Sequence, residues 1–168
     1  MVDLKQLQAS LPKVPGAGGL TQEEQIELDW AAKAHHHGEA HMKIISAFDP
    51  ATLNFTSYDD DIYRQYSRCF KGLKIDIINP DDLKSDEARI LWKPFCEMFR
   101  DRIPHYNFGT LLRLDCNKGY TEENTIFVTK IEFYAIEIAR NRQHLNKFHL
   151  RKDEQKKDAT PENEEKKT

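Results

Sequence analysis

The chain has 168 residues, of which 39% are hydrophobic and 32% charged, and its formal net charge is -3. This length allows one domain with a hydrophobic core. The small negative charge gives no overall positive field that would attract nucleic acid or an anionic membrane surface. No apolar run approaches the ~20 residues of a membrane-spanning helix, and the first residues lack the basic and then apolar pattern of a secretory signal. We therefore expect a cytoplasmic protein, also compatible with the nucleus, that binds neither membranes nor nucleic acid directly.

The three cysteines, Cys69, Cys96 and Cys116, are widely spaced and odd in number. Such a set favours neither a disulfide framework nor a CxxC metal site, and reduced thiols fit an intracellular protein. Cys96 lies within an apolar run, where a free cysteine usually behaves as a small hydrophobic side chain. We expect Cys96 to belong to the core and not to act as a nucleophile.

The two ends of the chain differ in composition from the middle. Residues 1–20 contain two prolines and three glycines, which favours turns and a flexible arm. Residues 151–168 are dominated by charged and amide side chains, and so polar a segment cannot bury enough apolar surface to offset its chain entropy. The folded domain is therefore predicted over residues 21–150, between a flexible arm and a disordered charged tail.

A first long helix is predicted over residues 22–48. Thr21 and Glu24 form a capping box, in which each side chain binds the backbone N–H of the other residue. Apolar and histidine side chains then recur at three- to four-residue spacing along one face: Ile26, Trp30, His37, His41, Ile45 and Phe48. Asp49–Pro50 ends the pattern because proline lacks an N–H donor.

His37 and His41 are about one helical turn apart, so both could reach one metal ion. They lie on the apolar face, however, and neither has a carboxylate at the spacing of a zinc-protease helix. We favour core or interface histidines over a metal site, and no residue is assigned as a metal ligand.

Two further helices are predicted before residue 104. The acidic residues that follow Ser57 favour a helix over residues 58–73, whose aromatic positions would pack on the first helix. A third helix begins at Ser85 and extends to Phe99, and Pro94 within it should produce a kink or a restart.

The segment that follows allows two interpretations. Residues 111–115 could pair with residues 125–129 as a small β-hairpin, since both stretches contain β-favouring residues and a turn signal lies between them. Alternatively, apolar residues at helical spacing form a fourth helix over residues 124–149, and we favour this interpretation. The sequence thus predicts a mainly α fold of about four main helices, with the hairpin near residues 111–129 as the alternative.

Arg113 lies within an apolar stretch that contains three leucines. A charge held away from water needs a partner of opposite charge, and three acids are close in sequence: Asp115, Glu122 and Glu123. We expect Arg113 either to pair with a local acid or to be exposed for recognition.

Several stretches closely resemble one eukaryotic family, called polysaccharide biosynthesis domain-containing protein 1: Trp92–Cys96, Phe108–Cys116, Gly119–Phe127 and Phe133–Arg142. The similarity extends from the first helix to about Asn146. The resemblance implies a single compact, mainly helical domain with an orthogonal arrangement of helices. It also implies a cytosolic chaperone dedicated to translation elongation factor 1-alpha, which would engage the nascent GTP-binding domain at the ribosome and protect it from aggregation.

The leading hypothesis is a non-catalytic, monomeric binding module without a cofactor. Polar groups could pair with the client's nucleotide-binding surface, and Tyr120 supplies an aromatic anchor. The candidate partner-binding residues are Arg113, Asp115, Tyr120, Glu122, Glu123, Asn124, Glu137, Arg140 and Arg142. Five of them are predicted to form an outward face: Arg113, Tyr120, Glu122, Glu123 and Arg140. A scaffold role is the alternative, for example an intrahelical pair between Glu137 and Arg140.

Two other functional classes stay open. An enzyme acting on sugars or methyl groups would match the family name, but Glu122 and Glu123 are adjacent and project in different directions, unlike the facing carboxylates of glycoside hydrolysis. The chain shows no glycine-rich strand-to-helix loop for S-adenosylmethionine. Cys116 could form a nucleophile with a distant histidine, but nothing supplies a third residue that would orient this histidine. The other class is a structural adaptor in a different complex.

Overall fold

The computed structural model describes residues 21–151, which form several helices and one small antiparallel sheet. The elements are α1 (Gln22–Ala47), α2 (Asp59–Cys69), α3 (Asp81–Lys84), α4 (Asp86–Glu97), β1 (Gly109–Arg113), β2 (Thr125–Thr129) and α5 (Lys130–Arg142), with 3-10 turns at Pro50–Thr52 and Glu122–Asn124. The predicted mainly α fold is confirmed. None of these helices combines the length and the apolarity that crossing a membrane requires. The predicted N-terminal arm, and the predicted tail beyond Arg151, lie outside the described residues.

Two capping boxes determine where the two longest helices begin. Before α1, the Thr21 N–H donates to Glu24 Oε2 at 2.8 Å, and the Glu24 N–H donates to Thr21 Oγ1 at 3.2 Å. Before α5, the Thr129 N–H donates to Glu132 Oε2 at 2.6 Å, and the Glu132 N–H donates to Thr129 Oγ1 at 3.4 Å. Each box satisfies N–H groups that the first helical turn leaves without partners. The predicted start of α1 is therefore confirmed, whereas α5 begins after the residue 124 that we expected.

The favoured fourth helix is confirmed only over residues 130–142, because residues 125–129 form a strand of the alternative hairpin, which is confirmed. β1 and β2 pair antiparallel, with Leu111 opposite Phe127. Four of the five residues of β2 are β-branched, and such side chains fit a pleated sheet better than a helix. The apolar spacing continues from the strand into α5, so periodicity alone did not separate the two elements. At its other end α5 stops at Arg142, because His144 adopts a left-handed φ of 57°.

The second and third predicted helices differ from the observed ones in detail. α2 ends at Cys69 instead of near residue 73, because Gly72 has a φ of 84°, which is incompatible with a continuing helix. α4 begins after the Ser85 cap, as predicted, since the Ser85 hydroxyl accepts from the Ala88 N–H at 3.1 Å. The helix then continues through Pro94, so the restart that we considered does not occur.

α5 lies at the centre of the described domain, and its residues are buried on nearly every side. It packs against α2, α4 and both strands. The largest core residues are Ile62, Tyr66, Trp92, Phe95, Phe99, Leu112, Val128, Ile131, Phe133, Ile136 and Ile138. Full burial of such a side chain contributes about 1.5–3 kcal/mol. A helix buried on all sides is expected to be apolar, which makes the buried Glu137 and Arg140 of α5 exceptional.

α1 packs against β1, and two glycines allow close contacts between α1 and the hairpin. A Cβ added to Gly109 would lie 2.0 Å from Trp30 Cζ2, and a Cβ added to Gly38 would lie 2.9 Å from Tyr120 Cδ1. A larger residue therefore does not fit at Gly109 unless Trp30 moves. These contacts bring the histidines of α1 next to the loop that joins the strands.

Cys96 belongs to the core, as predicted, and is 9% exposed. Burial is the largest cause that raises the pKa of its thiol to about 12. Since the thiolate is the reactive form of cysteine, Cys96 is unreactive at neutral pH. Its role is structural.

Candidate functional site

A network of buried polar side chains connects α5 to β1. Arg113, Glu137 and Arg140 are each 0% exposed. Glu137 Oε1 accepts from Arg140 Nη1 at 2.8 Å and from Arg113 Nη2 at 3.3 Å. Asn146 Nδ2 donates to Glu137 Oε2 at 2.9 Å, and Asn146 Oδ1 accepts from Arg113 Nη2 at 2.7 Å. We call these four residues the buried ion network, in which one carboxylate holds two guanidinium groups.

Backbone carbonyl groups accept the other hydrogen bonds of the two guanidinium groups. Arg140 donates to Ile75 O at 2.7 Å and to Leu114 O at 3.0 Å. Arg113 Nη1 donates to Cys116 O at 3.0 Å. The network holds two positive charges and one negative charge, and hydrogen bonds from charged groups to carbonyl oxygens help to compensate the difference. Because these carbonyls lie before α3 and after β1, the network fastens both loops to α5.

His41 of α1 borders the buried ion network. Its Nδ1 lies 2.7 Å from the Tyr120 hydroxyl, and its Nε2 lies 3.6 Å from Glu137 Oε2. Burial lowers the pKa of His41 to about 4, with Glu137 opposing this shift and Arg113 adding to it. The imidazole is therefore neutral at neutral pH. Its burial confirms the predicted core or interface histidine, and within residues 21–151 no group of three or more potential metal-ligand side chains is arranged to hold an ion.

The protonation states around the network are fixed near neutral pH. Burial by itself would raise the pKa of Glu137, but the guanidinium groups of Arg113 and Arg140 outweigh it and hold the pKa well below its usual range. Burial raises the pKa of Tyr120, and the charge of Glu137 raises it further. General acid–base catalysis is most efficient when a group titrates near the working pH. Glu137, Tyr120 and His41 all titrate far from neutrality.

The nine predicted partner-binding residues differ in exposure. Four are buried, namely Arg113, Asn124, Glu137 and Arg140; Asp115, Tyr120 and Arg142 are partly buried, and Glu122 and Glu123 are exposed. The predicted outward face is therefore wrong for two members, Arg113 and Arg140. Arg113 does have an acidic partner, but this partner is Glu137, 24 residues away in sequence, and not one of the three local acids. The alternative scaffold pair between Glu137 and Arg140 is confirmed.

Two more of the predicted residues hold parts of the scaffold together. Asn124 Oδ1 accepts from the Asp115 N–H at 2.9 Å, and Asn124 Nδ2 donates to Gly119 O at 3.0 Å. These bonds close the loop between the strands. Arg142, at the end of α5, forms an ion pair with Asp60 of α2. The structure therefore gives both side chains an intramolecular partner.

A second candidate site consists of exposed aromatic side chains. Trp30, Phe108 and Phe127 are 40%, 55% and 42% exposed, and we call them the aromatic surface. The rings of Trp30 and Phe127 are stacked, with centroids 5.1 Å apart and an interplanar angle of 21°. Trp30 also packs on the backbone of Gly109. Contact on two sides holds the indole in one position although part of it faces solvent.

The aromatic surface is not among the sites predicted from the sequence. Trp30 is predicted on the apolar face of α1, and Phe127 falls within the predicted helix over residues 124–149. Assignment of β2 as a strand predicts the exposure of Phe127, because successive side chains of a strand point to opposite faces. Since Val128 is buried in the core, Phe127 must lie on the opposite side of the hairpin.

These features define the class of this chain as a small, mainly helical domain with an antiparallel hairpin packed against its central helix. The sequence model of the PBDC1 protein family matches residues 26–151. The chain belongs to this family, which confirms the resemblance inferred from its motifs.

Relatives from mammals and yeast share most of the described domain. Protein PBDC1 of Mus musculus and that of Homo sapiens are each 51% identical over 122 residues, which is 73% of this chain but 62% of the mouse protein and 52% of the human protein. The chain thus spans less than two thirds of the length of these relatives. The PBDC1 homolog of Saccharomyces cerevisiae is 36% identical over 127 residues, 73% of this chain and 87% of that protein. A solution NMR structure of a Saccharomyces cerevisiae protein is similar, with a TM-score of 0.70 and 34% identity over 80% of this chain and 95% of that one.

Proposed function

We propose that this chain is a non-catalytic protein-binding module that acts as a cotranslational chaperone. Its proposed client is the GTP-binding domain of translation elongation factor 1-alpha, as the family resemblance suggests. In this proposal the chain works in the cytoplasm as a monomer, needs no cofactor, and protects the nascent client near the ribosome by contact alone.

The aromatic surface is the observation that carries the binding role. Aromatic side chains are enriched at the energetic centres of protein interfaces. Trp30 is already held between Phe127 and Gly109, so little side-chain entropy is lost when a partner covers it. A domain that has not finished folding exposes apolar surface. A rigid aromatic surface can cover such a region until the client folds.

The buried ion network supports a role without catalysis. Its charged groups have no exposed area, so a substrate cannot touch them in this conformation. Cys116, the other nucleophile that we considered, is 1% exposed, and burial raises the pKa of its thiol. A buried thiol with a raised pKa contains little of the reactive thiolate.

Crosslinking to ribosome-bound nascent chains tests the client directly. Ribosomes stalled after synthesis of the GTP-binding domain of the elongation factor should crosslink to this chain, whereas ribosomes carrying an unrelated globular domain should not. In cells, removal of the chain should lower the soluble fraction of the elongation factor. Absence of the crosslink, or an unchanged soluble fraction, would refute the chaperone proposal.

The aromatic surface can be tested with a pair of matched substitutions. Phe108→Ala removes a side chain that is 55% exposed on the aromatic surface, and Ile90→Ala removes one that is 71% exposed on α4. Both should change the free energy of unfolding by less than about 0.5 kcal/mol. In a pulldown from translating lysate, we expect Phe108→Ala to reduce the recovered client several-fold, since hot-spot truncations cost about 2 kcal/mol or more. Equal recovery by the two variants would show that the client binds elsewhere.

A further inference from the structure

A cleft of about 280 Å³ opens beside the aromatic surface, where α1 meets the segment before β1 and the start of α5. Its principal lining side chains are Trp30, Lys33, His37, His105, Phe108 and Lys130. Ligand pockets usually have volumes of roughly 300–1,000 Å³. The cleft is therefore large enough for one or two side chains of a partner and too small for a large cofactor.

The charges that line the cleft all have the same sign. Lys33 and Lys130 are the lysines among the lining residues, and within residues 21–151 no aspartate or glutamate lines the cleft. The Lys130 ammonium group also lies 5.6 Å from the centroid of the Tyr134 ring. The whole chain, in contrast, has a net charge of -3. A cleft with walls of one charge sign attracts ligand groups of the opposite sign. The cleft thus favours an anionic group, although the protein as a whole does not.

Several contacts hold the lining side chains in position. Lys130 Nζ donates to Pro104 O at 3.1 Å, and His37 Nδ1 lies 2.9 Å from Thr110 Oγ1. His105 has a φ of 57°. Such a backbone conformation is uncommon outside glycine, although histidine adopts it more often than most residues.

The His105 ring lies against Phe108, with the two ring centroids 4.4 Å apart. Phe108 lines the cleft together with Trp30, so the cleft and the aromatic surface share these two side chains. Apolar ring faces and lysine ammonium groups are thus adjacent, and a ligand that combines an apolar group with an anion can contact both at once.

We infer that this cleft binds a peptide segment of a partner protein in which a carboxylate side chain is adjacent to an apolar or aromatic one. Lys33 and Lys130 attract the carboxylate, while Trp30 and Phe108 contact the apolar group. The inference rests on the proposed function, because it assigns a chemistry to the segment of the client that meets the aromatic surface.

Calorimetric titration with two peptides tests the charge preference. Both peptides have neutral blocked ends and contain a phenylalanine and a leucine; one carries two glutamates beside them, and the other carries two glutamines. We expect the glutamate peptide to bind the full chain at least fivefold more tightly than the glutamine peptide at low salt, and this preference should decrease as salt is added. Equal affinities, or no binding of the glutamate peptide, would overturn the inference.

Two lysine substitutions on α1 test whether the preference for the glutamate peptide arises in the cleft. Lys33 and Lys43 are both exposed residues of α1, but Lys43 lines a different groove. Lys33→Glu should abolish most of the preference for the glutamate peptide, whereas Lys43→Glu should change its affinity by less than about twofold, since a charge farther away is screened. Equal losses of affinity for the glutamate peptide in the two variants would mean that the net charge of the chain causes the preference. The cleft would then be excluded as the binding site.

A parallel titration with the purified GTP-binding domain of the elongation factor separates the two proposals. If this domain binds the unmodified chain and the Lys33→Glu variant equally well while neither peptide binds, the cleft inference fails and the proposed function stands. If the glutamate peptide binds in the expected order and the GTP-binding domain does not bind, the chemistry of the cleft stands and the client is a different protein.

Discussion

The buried ion network and the aromatic surface reverse the usual distribution of side chains, since charged residues lie inside and large aromatic residues lie outside. Arg113, Glu137 and Arg140 are 0% exposed, and each is held by partners within the chain. Trp30, Phe108 and Phe127 remain 40–55% exposed. Buried charges and exposed apolar clusters are the informative exceptions to normal burial. The charges of Arg113, Glu137 and Arg140 therefore serve the scaffold, and the exposed aromatic residues are the better candidates for contact with a partner.

The largest predicted effect comes from Glu137→Gln. This change removes the carboxylate and leaves two guanidinium groups buried without their counter-ion, which we expect to lower the free energy of unfolding by about 3–5 kcal/mol. The carboxyl of Glu137 has a pKa held below the value of 4.5 that it has in the unfolded chain, so its stabilising contribution is complete above that pH. It should decrease as the pH falls through the lower pKa of the folded state. Urea denaturation at neutral pH measures the loss.

Glu122→Gln is the matched control for this experiment. Glu122 is exposed in the loop between the strands, and the same chemical change should alter the free energy of unfolding by less than about 0.5 kcal/mol. If the two variants are equally stable, the buried ion network does not hold the scaffold together. The contrast between the two regions would then lose its physical basis.

A smaller and pH-dependent effect is predicted for His41→Gln. The pKa of His41 is about 4 in the folded chain and 6.5 in the unfolded chain. Between these values the unfolded state binds the additional proton, so stability rises with pH across this window. This pKa shift corresponds to about 3 kcal/mol in the free energy of unfolding. The unmodified chain loses this stability as the pH falls from above 6.5 to below 4. The variant should lack this part of the pH profile.

Urea denaturation at a series of pH values tests this prediction. His36→Gln is a suitable control, because the His36 side chain is 88% exposed on the same helix. The control should keep the pH profile of the unmodified chain. Parallel profiles for the His41 variant and the unmodified chain would show that His41 is not buried against the network in solution.

Local signals in the sequence predicted much of the fold. The capping box at Thr21 and the cap at Ser85 marked two helix starts correctly, because such signals depend on residues within one turn of each other. The equivalent box at Thr129 and Glu132 was also present in the sequence. This box marks the start of α5 at Lys130, whereas the apolar periodicity continues across that boundary.

The candidate sites were harder to predict because they depend on contacts between distant residues. Arg113 pairs with Glu137, 24 residues away, and its burial cannot be inferred from the three acids near it in sequence. Trp30 and Phe127 are farther apart still, and they meet only because the hairpin packs against α1. Arg113 and Arg140 are therefore predicted on the outward face although both are buried.

A smaller loss of stability than that of Glu137→Gln is predicted for Gly109→Ala, which connects the scaffold with the aromatic surface. The added Cβ would lie 2.0 Å from Trp30 Cζ2, so the indole must leave its position on the strand. We expect a loss of about 1–3 kcal/mol, as for other overpacked contacts, and a red shift of tryptophan emission as Trp30 separates from Phe127. The same substitution at Gly119 is the control, since no atom lies within 4 Å of a Cβ added there.

Affinity for the partner distinguishes the Gly109→Ala variant from the Glu137→Gln variant. If the aromatic surface binds the partner, Gly109→Ala should weaken binding even at temperatures at which the chain stays fully folded, because the stacked pair itself is disrupted. Glu137→Gln should leave the affinity of the remaining folded molecules nearly unchanged, since the buried network does not touch the partner. A loss of affinity in the folded Glu137 variant, with full affinity in the Gly109 variant, would reverse the roles assigned to the two regions.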